Sequence, residues 1–206
     1  PRLFFAVSSG MDSMVNHYTA NKRLRHDDAF TPGGKSGFRP DYAVYVYTQI
    51  LKKLFPETPV IIGGLESSLR RISHYDYWQN KIKPSILFDT NADLLVYGMG
   101  EKPLKEIIRL IKKGVPIKNM NSIPQTAYLT PKENVPKNKL WEDLQLSDFE
   151  ECAKDKQIQF KNFRLFEIET NKMYSKRIIQ NVQDKSVVVN PPYPPMAYGE
   201  LDESFE

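Results

Sequence analysis

The sequence predicts an open α/β fold built on a mainly parallel sheet, with a small αβ appendage behind it. Three observations predict it. Residues 3–7, 60–62 and 94–97 are short runs that are apolar throughout. These runs alternate with stretches of helical period, and each stops at small or glycine residues. Strands that are apolar on both sides need helices over both sheet faces, which right-handed β-α-β crossovers supply.

Taken in order, residues 3–7 read as a buried strand running into Ser8-Ser9-Gly10, with Asp12 or Ser13 placed to cap a following helix. Residues 21–40 scatter Lys22, Arg23, Arg25, Lys35 and Arg39 among glycines and prolines, the composition of a long ordered loop. Pro40 and Asp41 start a helix whose Ala43, Val44, Tyr47, Ile50, Leu51 and Leu54 mark an apolar stripe ending at Phe55-Pro56. Val60-Ile61-Ile62 is a short strand stopped by Gly63-Gly64. Residues 65–72 read as helix, 86–88 as strand, and 94–97 as a strand before Gly98-Met99-Gly100. An amphipathic helix over 102–113 is closed by Gly114. Beyond it the pattern changes, which divides the chain into an α/β domain at 1–130, a Pro-, Asn- and Lys-rich linker at 131–143, and a small αβ segment at 144–206. That segment reads as strand-forming at 186–189 and helical at 144–160 and 173–183. It leaves through the stiff run Asn190-Pro191-Pro192-Tyr193-Pro194-Pro195. No internal repeat is visible.

An excess of four positive charges over 206 residues is mild, permitting nucleic acid without indicating it. No apolar stretch approaches the roughly 20 residues that span a bilayer, and no charged-then-apolar leader opens the chain, so a soluble cytoplasmic protein with no membrane partner is expected. The single cysteine, Cys152, excludes an internal disulfide and supports neither a zinc site nor an iron–sulfur cluster from this chain alone. It reads as a free thiol on a helix. A chain that opens on Pro1 and enters a strand pattern almost at once reads as part of something longer.

In open parallel sheets, ligands sit beyond the carboxyl ends of the strands. The loops at Ser8 and Gly10, Gly63 and Gly64, and Gly98 and Gly100 all fall there, and should converge on one edge with Asp12 and Glu101 beside them. Backbone N–H groups bared by glycine can approach an anion, although neither a Walker nor a dinucleotide fingerprint is present. Next to that edge lies Glu66-Ser67-Ser68-Leu69-Arg70-Arg71-Ile72-Ser73-His74-Tyr75-Asp76-Tyr77-Trp78. Glu66, Ser67 and Tyr77 could wall a pocket. Arg70 and Arg71 suit either an anionic group or structural ion pairs. His74 and Asp76 suit either an acid–base pair or, for His74, packing against Trp78. The run Arg23-Leu24-Arg25-His26-Asp27-Asp28 is expected to form salt bridges or meet another domain rather than hold a metal, because adjacent side chains diverge. His17 has no evident partner and reads as a surface or packing residue.

Several stretches together resemble the YgiQ family of radical S-adenosylmethionine (radical SAM) proteins. They are Gly10-Met11-Asp12-Ser13-Met14, Tyr18-Thr19-Ala20, the Arg23 to Asp28 run, Arg39-Pro40-Asp41, Gly63 to Arg71, His74 to Trp78, and Gly98-Met99-Gly100-Glu101-Lys102-Pro103. Glu169-Thr170-Asn171 and Val189-Asn190-Pro191-Pro192 extend the similarity along most of the chain. More broadly, the Gly63-Gly64 strand end and the Gly98 to Glu101 turn are similar to Rossmann-like cobalamin-binding domains, although the D-x-H-x-x-G signature is absent. The resemblance implies that a barrel with a C-x-x-x-C-x-x-C motif, a [4Fe–4S] cluster and S-adenosylmethionine follows this region, and that a strand–helix unit precedes it. The chain is then an accessory region whose partner is its own radical SAM domain, not catalytic alone. A cobalamin- or nucleotide-binding module is the alternative, and a nucleic-acid interaction domain resting on the basic loop is a further one.

Overall fold

A computed structural model describes residues 3–202. Strand β1 (Phe5–Ser9) leads to helix α1 (Ser13–His17), which Asp12 caps by accepting from the backbone N–H groups of Met14 and Val15. Helix α2 (Ala43–Leu54) crosses over to β2 (Val60–Gly63), where α3 (Gly64–Leu69) starts. A hairpin follows, β3 (His74–Asp76) with β4 (Lys81–Lys83), then α4 (Ile86–Thr90), β5 (Leu94–Val96) and α5 (Glu101–Lys112). Gly114 turns the chain behind α5 at φ +77. The remaining elements are β6 (Thr126–Pro131), β7 (Asp143–Gln145), α6 (Phe149–Lys154), α7 (Lys156–Thr170), β8 (Arg177–Val182), β9 (Lys185–Val189) and α8 (Tyr198–Asp202).

Seven strands form one open sheet in the order β1-β2-β5-β6-β9-β8-β7. β1, β2 and β5 are parallel, as are β7 and β8, while β6 and β9 enter antiparallel to their neighbours. The expected open α/β architecture is therefore present. The segment beyond residue 143 does not build a separate sheet, because β7, β8 and β9 extend the first one. Two apolar layers flank it. Val7, Val44, Val60, Ile62, Leu87 and Leu95 belong to one, and Ile61, Leu94, Val96, Ile107 and Val188 to the other. Each buried aliphatic side chain contributes about 1.5–3 kcal/mol by leaving water. Among the described residues, no helix is long and apolar enough to cross a membrane.

Three expected elements change type in whole or in part, one of them the helix 144–160, whose residues 144 and 145 belong to strand β7. Residues 86–88 are helical rather than extended: Ser85 Oγ accepts from Leu87 N–H, and Asn91 closes the turn in the left-handed region at φ 54. A three-residue apolar run cannot separate the two by periodicity. Residues 177–182 within the expected helix 173–183 are instead strand β8, whose partner β9 returns through a hairpin at Gln183 (φ 55).

Candidate functional site

The three small-residue loops do converge. Because β1, β2 and β5 are adjacent and parallel, their carboxyl ends share one edge, and Ser9 bridges directly to Gly64. The closeness explains Gly64. Its φ is +77, and a Cβ there would lie 2.7 Å from Ser9 N, 2.8 Å from Ser8 Oγ and well inside contact with Ser9 O. A Cβ on Gly63 would reach the Val96 carbonyl at 3.1 Å. These two glycines answer a need of chain packing. Gly98 turns at φ 66, and its N–H donates to Ser68 Oγ at 3.3 Å. Gly100 caps α5, and Glu101 stands exposed in that helix's first turn. Ser8 and Gly10 are exposed, with open space beside Gly10.

Behind the loops the charges satisfy one another. Arg70 Nη2 lies 2.6 Å from Asp12 Oδ2, and Arg70 Nη1 is 3.5 Å from Glu66 Oε1. The buried Glu66 also accepts from Ser13 N–H at 3.1 Å and Ser13 Oγ at 2.5 Å. This knot ties α1 to α3. Ser67 is buried beside it. Of the two arginines, Arg70 is thus the structural ion-pair member.

Arg71 differs. Its guanidinium lies between the rings of Tyr97 at 4.5 Å and Phe166 at 4.6 Å, donates through Nη1 to the Ser68 carbonyl, and is shifted down in pKa by burial. His74 and Asp76 do not form an acid–base pair. His74 Nδ1 faces the Ile72 carbonyl at 3.2 Å, and burial pushes its pKa down to about 4. Asp76 accepts from Tyr42 Oη at 2.9 Å and Gln79 N–H at 2.8 Å. Nor does His74 pack against Trp78, whose ring contacts are Tyr18 and Tyr77. Tyr77 holds the basic loop by donating to the Ala20 carbonyl at 2.8 Å, with Lys22 Nζ 4.6 Å above its ring.

Two features escape sequence reasoning. His17 is buried, with Nδ1 3.2 Å from Asp41 and Nε2 3.7 Å from Asp28. Asp28 receives a two-pronged bond from Arg39, which holds its carboxyl down at about 2. Of the Arg23 to Asp28 run only Asp28 joins an ion-pair cluster among the described residues, together with Arg39 and a histidine that looked unpartnered. The second is a buried amide network: Gln180 Oε1 accepts from Ser73 N–H at 2.8 Å, its Nε2 donates to Ser73 Oγ at 2.7 Å, and Ser73 Oγ donates to Gln159 at 2.9 Å. Partners separated by 86 and 107 residues leave no local signal.

The edge offers an apolar surface. Leu65 and Met99 expose 48% and 52% of their area there. β9 runs in the same direction as β5, so the chain reaches this edge again at Asn190. There Tyr97 Oη donates to the Asn190 carbonyl at 2.5 Å, and Gln125 N–H donates to the Pro191 carbonyl at 2.7 Å. Cys152 is buried in α6, where Asn162 Nδ2 is 3.0 Å from Sγ and burial raises the thiol pKa. A lone, enclosed thiol does not fit an iron–sulfur cluster, which is held by several cysteine thiolates.

The sequence family described as Radical SAM N-terminal matches residues 1–206. Similar proteins include UPF0313 proteins of Porphyromonas gingivalis, 55% identical over the whole of this chain and 32% of the relative, and of Bacteroides thetaiotaomicron, 53% identical over the whole chain and 35% of the relative. A UPF0313 protein of Geobacter sulfurreducens is 45% identical over the whole chain and 34% of its own length. The chain thus spans about a third of the curated relatives it matches. No solved structure matches it.

Proposed function

Because the chain belongs to the UPF0313, or YgiQ, family and is its Radical SAM N-terminal region, we propose that it is the accessory domain of a radical SAM protein, with its loop edge laid against the catalytic domain. It thereby shapes access to that domain's site. One observation carries this reading: the edge pairs Arg70 with Asp12 and Glu66 while exposing Leu65 and Met99. Apolar area of that kind, with few free charges, is the composition of an interface centre. The return of the chain to the same edge at Asn190 supports it, since residues 190 and 191 add their backbone to that surface. Cluster and S-adenosylmethionine chemistry belongs, in this reading, to the remaining two thirds of the protein. The residues of this chain hold the loops, exclude water and position the interface.

The test uses the full-length protein with its cluster reconstituted anaerobically. Leu65→Asp combined with Met99→Asp should leave iron content unchanged, lower 5′-deoxyadenosine formation from S-adenosylmethionine several-fold, and increase hydrogen exchange in peptides spanning residues 60–70 and 94–101. Unchanged exchange and activity would overturn the docking of this edge. Retention of a corrinoid spectrum after titration with cobalamin, lost in the same variant, would replace it with a cofactor-binding role.

A further inference from the structure

A groove of about 680 Å³ lies between α7 and the β3–β4 hairpin. Leu69, Tyr75, Ile82, Phe160 and Phe163 line it, and so does Arg71. The volume falls within the range of small-molecule sites, which are mostly apolar with a few placed polar groups. Phe160 and Phe163 expose 61% and 53% of their area although they stand side by side on one helix, so the groove presents aromatic surface to solvent.

The charge of Arg71 is the telling feature. Arg71 is largely buried between two rings, yet no carboxylate among the described residues forms an ion pair with it. Nη1 is used by the Ser68 carbonyl, Nε is buried without a partner, and Nη2 donates no hydrogen bond among the described residues. Glu167 also lines the groove, where its charge favours the Arg71 cation without forming a salt bridge to it, and the exposed Lys156 adds a second positive charge. Buried charges in proteins are ordinarily paired, because removal from water is costly. Arg70, one residue earlier, has Asp12 and Glu66 within ion-pair distance, whereas Arg71 has no carboxylate among the described residues that close.

We propose that this groove binds a small molecule with an apolar or aromatic body and one carboxylate, the body against Phe160 and Phe163 and the carboxylate at the free edge of Arg71. The site is separate from the loop-edge docking and does not depend on radical chemistry.

The experiment is displacement of 8-anilinonaphthalene-1-sulfonate fluorescence from the full-length protein by decanoate and, separately, by decan-1-ol. A charge-assisted hydrogen bond is worth more than about a tenfold change in affinity, so decanoate should displace the dye at a concentration at least tenfold lower than the alcohol. Phe163→Ser, at an exposed position, should weaken both competitors, and Arg71→Gln should abolish the difference between them. Equal displacement by acid and alcohol, decanoate binding unaffected by Phe163→Ser, or no dye binding at all would each overturn the proposal. The assay reads binding without turnover, so its failure is distinct from failure of the accessory-domain reading.

Discussion

Replacement of Gly64 by alanine isolates the cost of bringing two strand ends into backbone contact. The left-handed backbone at φ +77 costs an alanine about 1–2 kcal/mol. The added methyl must also displace Ser9, whose backbone N lies 2.7 Å from the Cβ position, and overpacking of this kind adds about 1–3 kcal/mol. The expected loss is therefore about 2–5 kcal/mol. Two internal controls separate the terms. Gly114 shares φ +77 but has open space around its Cβ position, so Gly114→Ala should show the backbone cost alone. Gly10 has neither constraint, so Gly10→Ala should stay within about 0.5 kcal/mol of the parent. The measurement is hydrogen exchange by mass spectrometry across a urea series in the full-length protein, reading peptides over 5–20, 60–70 and 101–116. If Gly64→Ala is no more destabilising than Gly114→Ala, the close contact between Ser9 and Gly64 is not a constraint on the native state.

Two further outcomes follow from burial. His74 ionises near 6.5 when unfolded and near 4 when folded, so below pH 6.5 the unfolded chain binds a proton that the folded one refuses. Its contribution to stability is complete above pH 6.5 and is lost as pH falls toward 4, with a slope of at most about 1.4 kcal/mol per pH unit. Asp28, depressed from 3.8 to about 2, contributes above 3.8 and loses its share only as pH falls through 2. Denaturation curves for His74→Phe should therefore be flatter between pH 6.5 and 4 yet still fall below 3.8; an unaltered slope above pH 4 contradicts the burial of a neutral imidazole. Cys152, enclosed in α6 with its pKa raised, should resist iodoacetamide at pH 8 until the protein is unfolded in urea. Rapid labelling of the native protein would show that α6 opens readily.

Much of this arrangement is written locally. The runs Val60-Ile61-Ile62 and Leu94-Leu95-Val96 are apolar on both sides because both faces are covered, and the small residues after them mark the shared edge in the sequence itself. Asp12 announced its cap in the same way. What escaped is non-local or short. Residues 177–182 mix Arg177, Gln180 and Asn181 with aliphatics and lack strand alternation, because Gln180 is buried to meet Ser73 and Arg177 to meet Asp143. Residues 86–90 are decided by Ser85 and Asn91 at their ends rather than by their own pattern. The pairing of Arg70 and the isolation of Arg71 could not be told apart in sequence, since neighbouring side chains on this turn face opposite surroundings: one the α1–α3 knot, the other the Tyr97 and Phe166 rings.

The position of β9 in the sheet bears on how the chain is made. β9 lies between β6 and β8, so it alone connects the β8–β7 pair to the four strands on its other side. Yet it is the last strand in chain order, and its register places Ala127 opposite Val189. A nascent chain emerging from the ribosome would have β1, β2, β5, β6 and β7 outside for the time needed to add β8 and β9, with β6 presenting a bare inner flank. Pairings between distant segments form slowly, and unpaired flanks recruit other strands. Synthesis halted before residue 185 would leave two incomplete sheets, and a chaperone that shields β6 until β9 arrives would act at the step this topology makes most vulnerable.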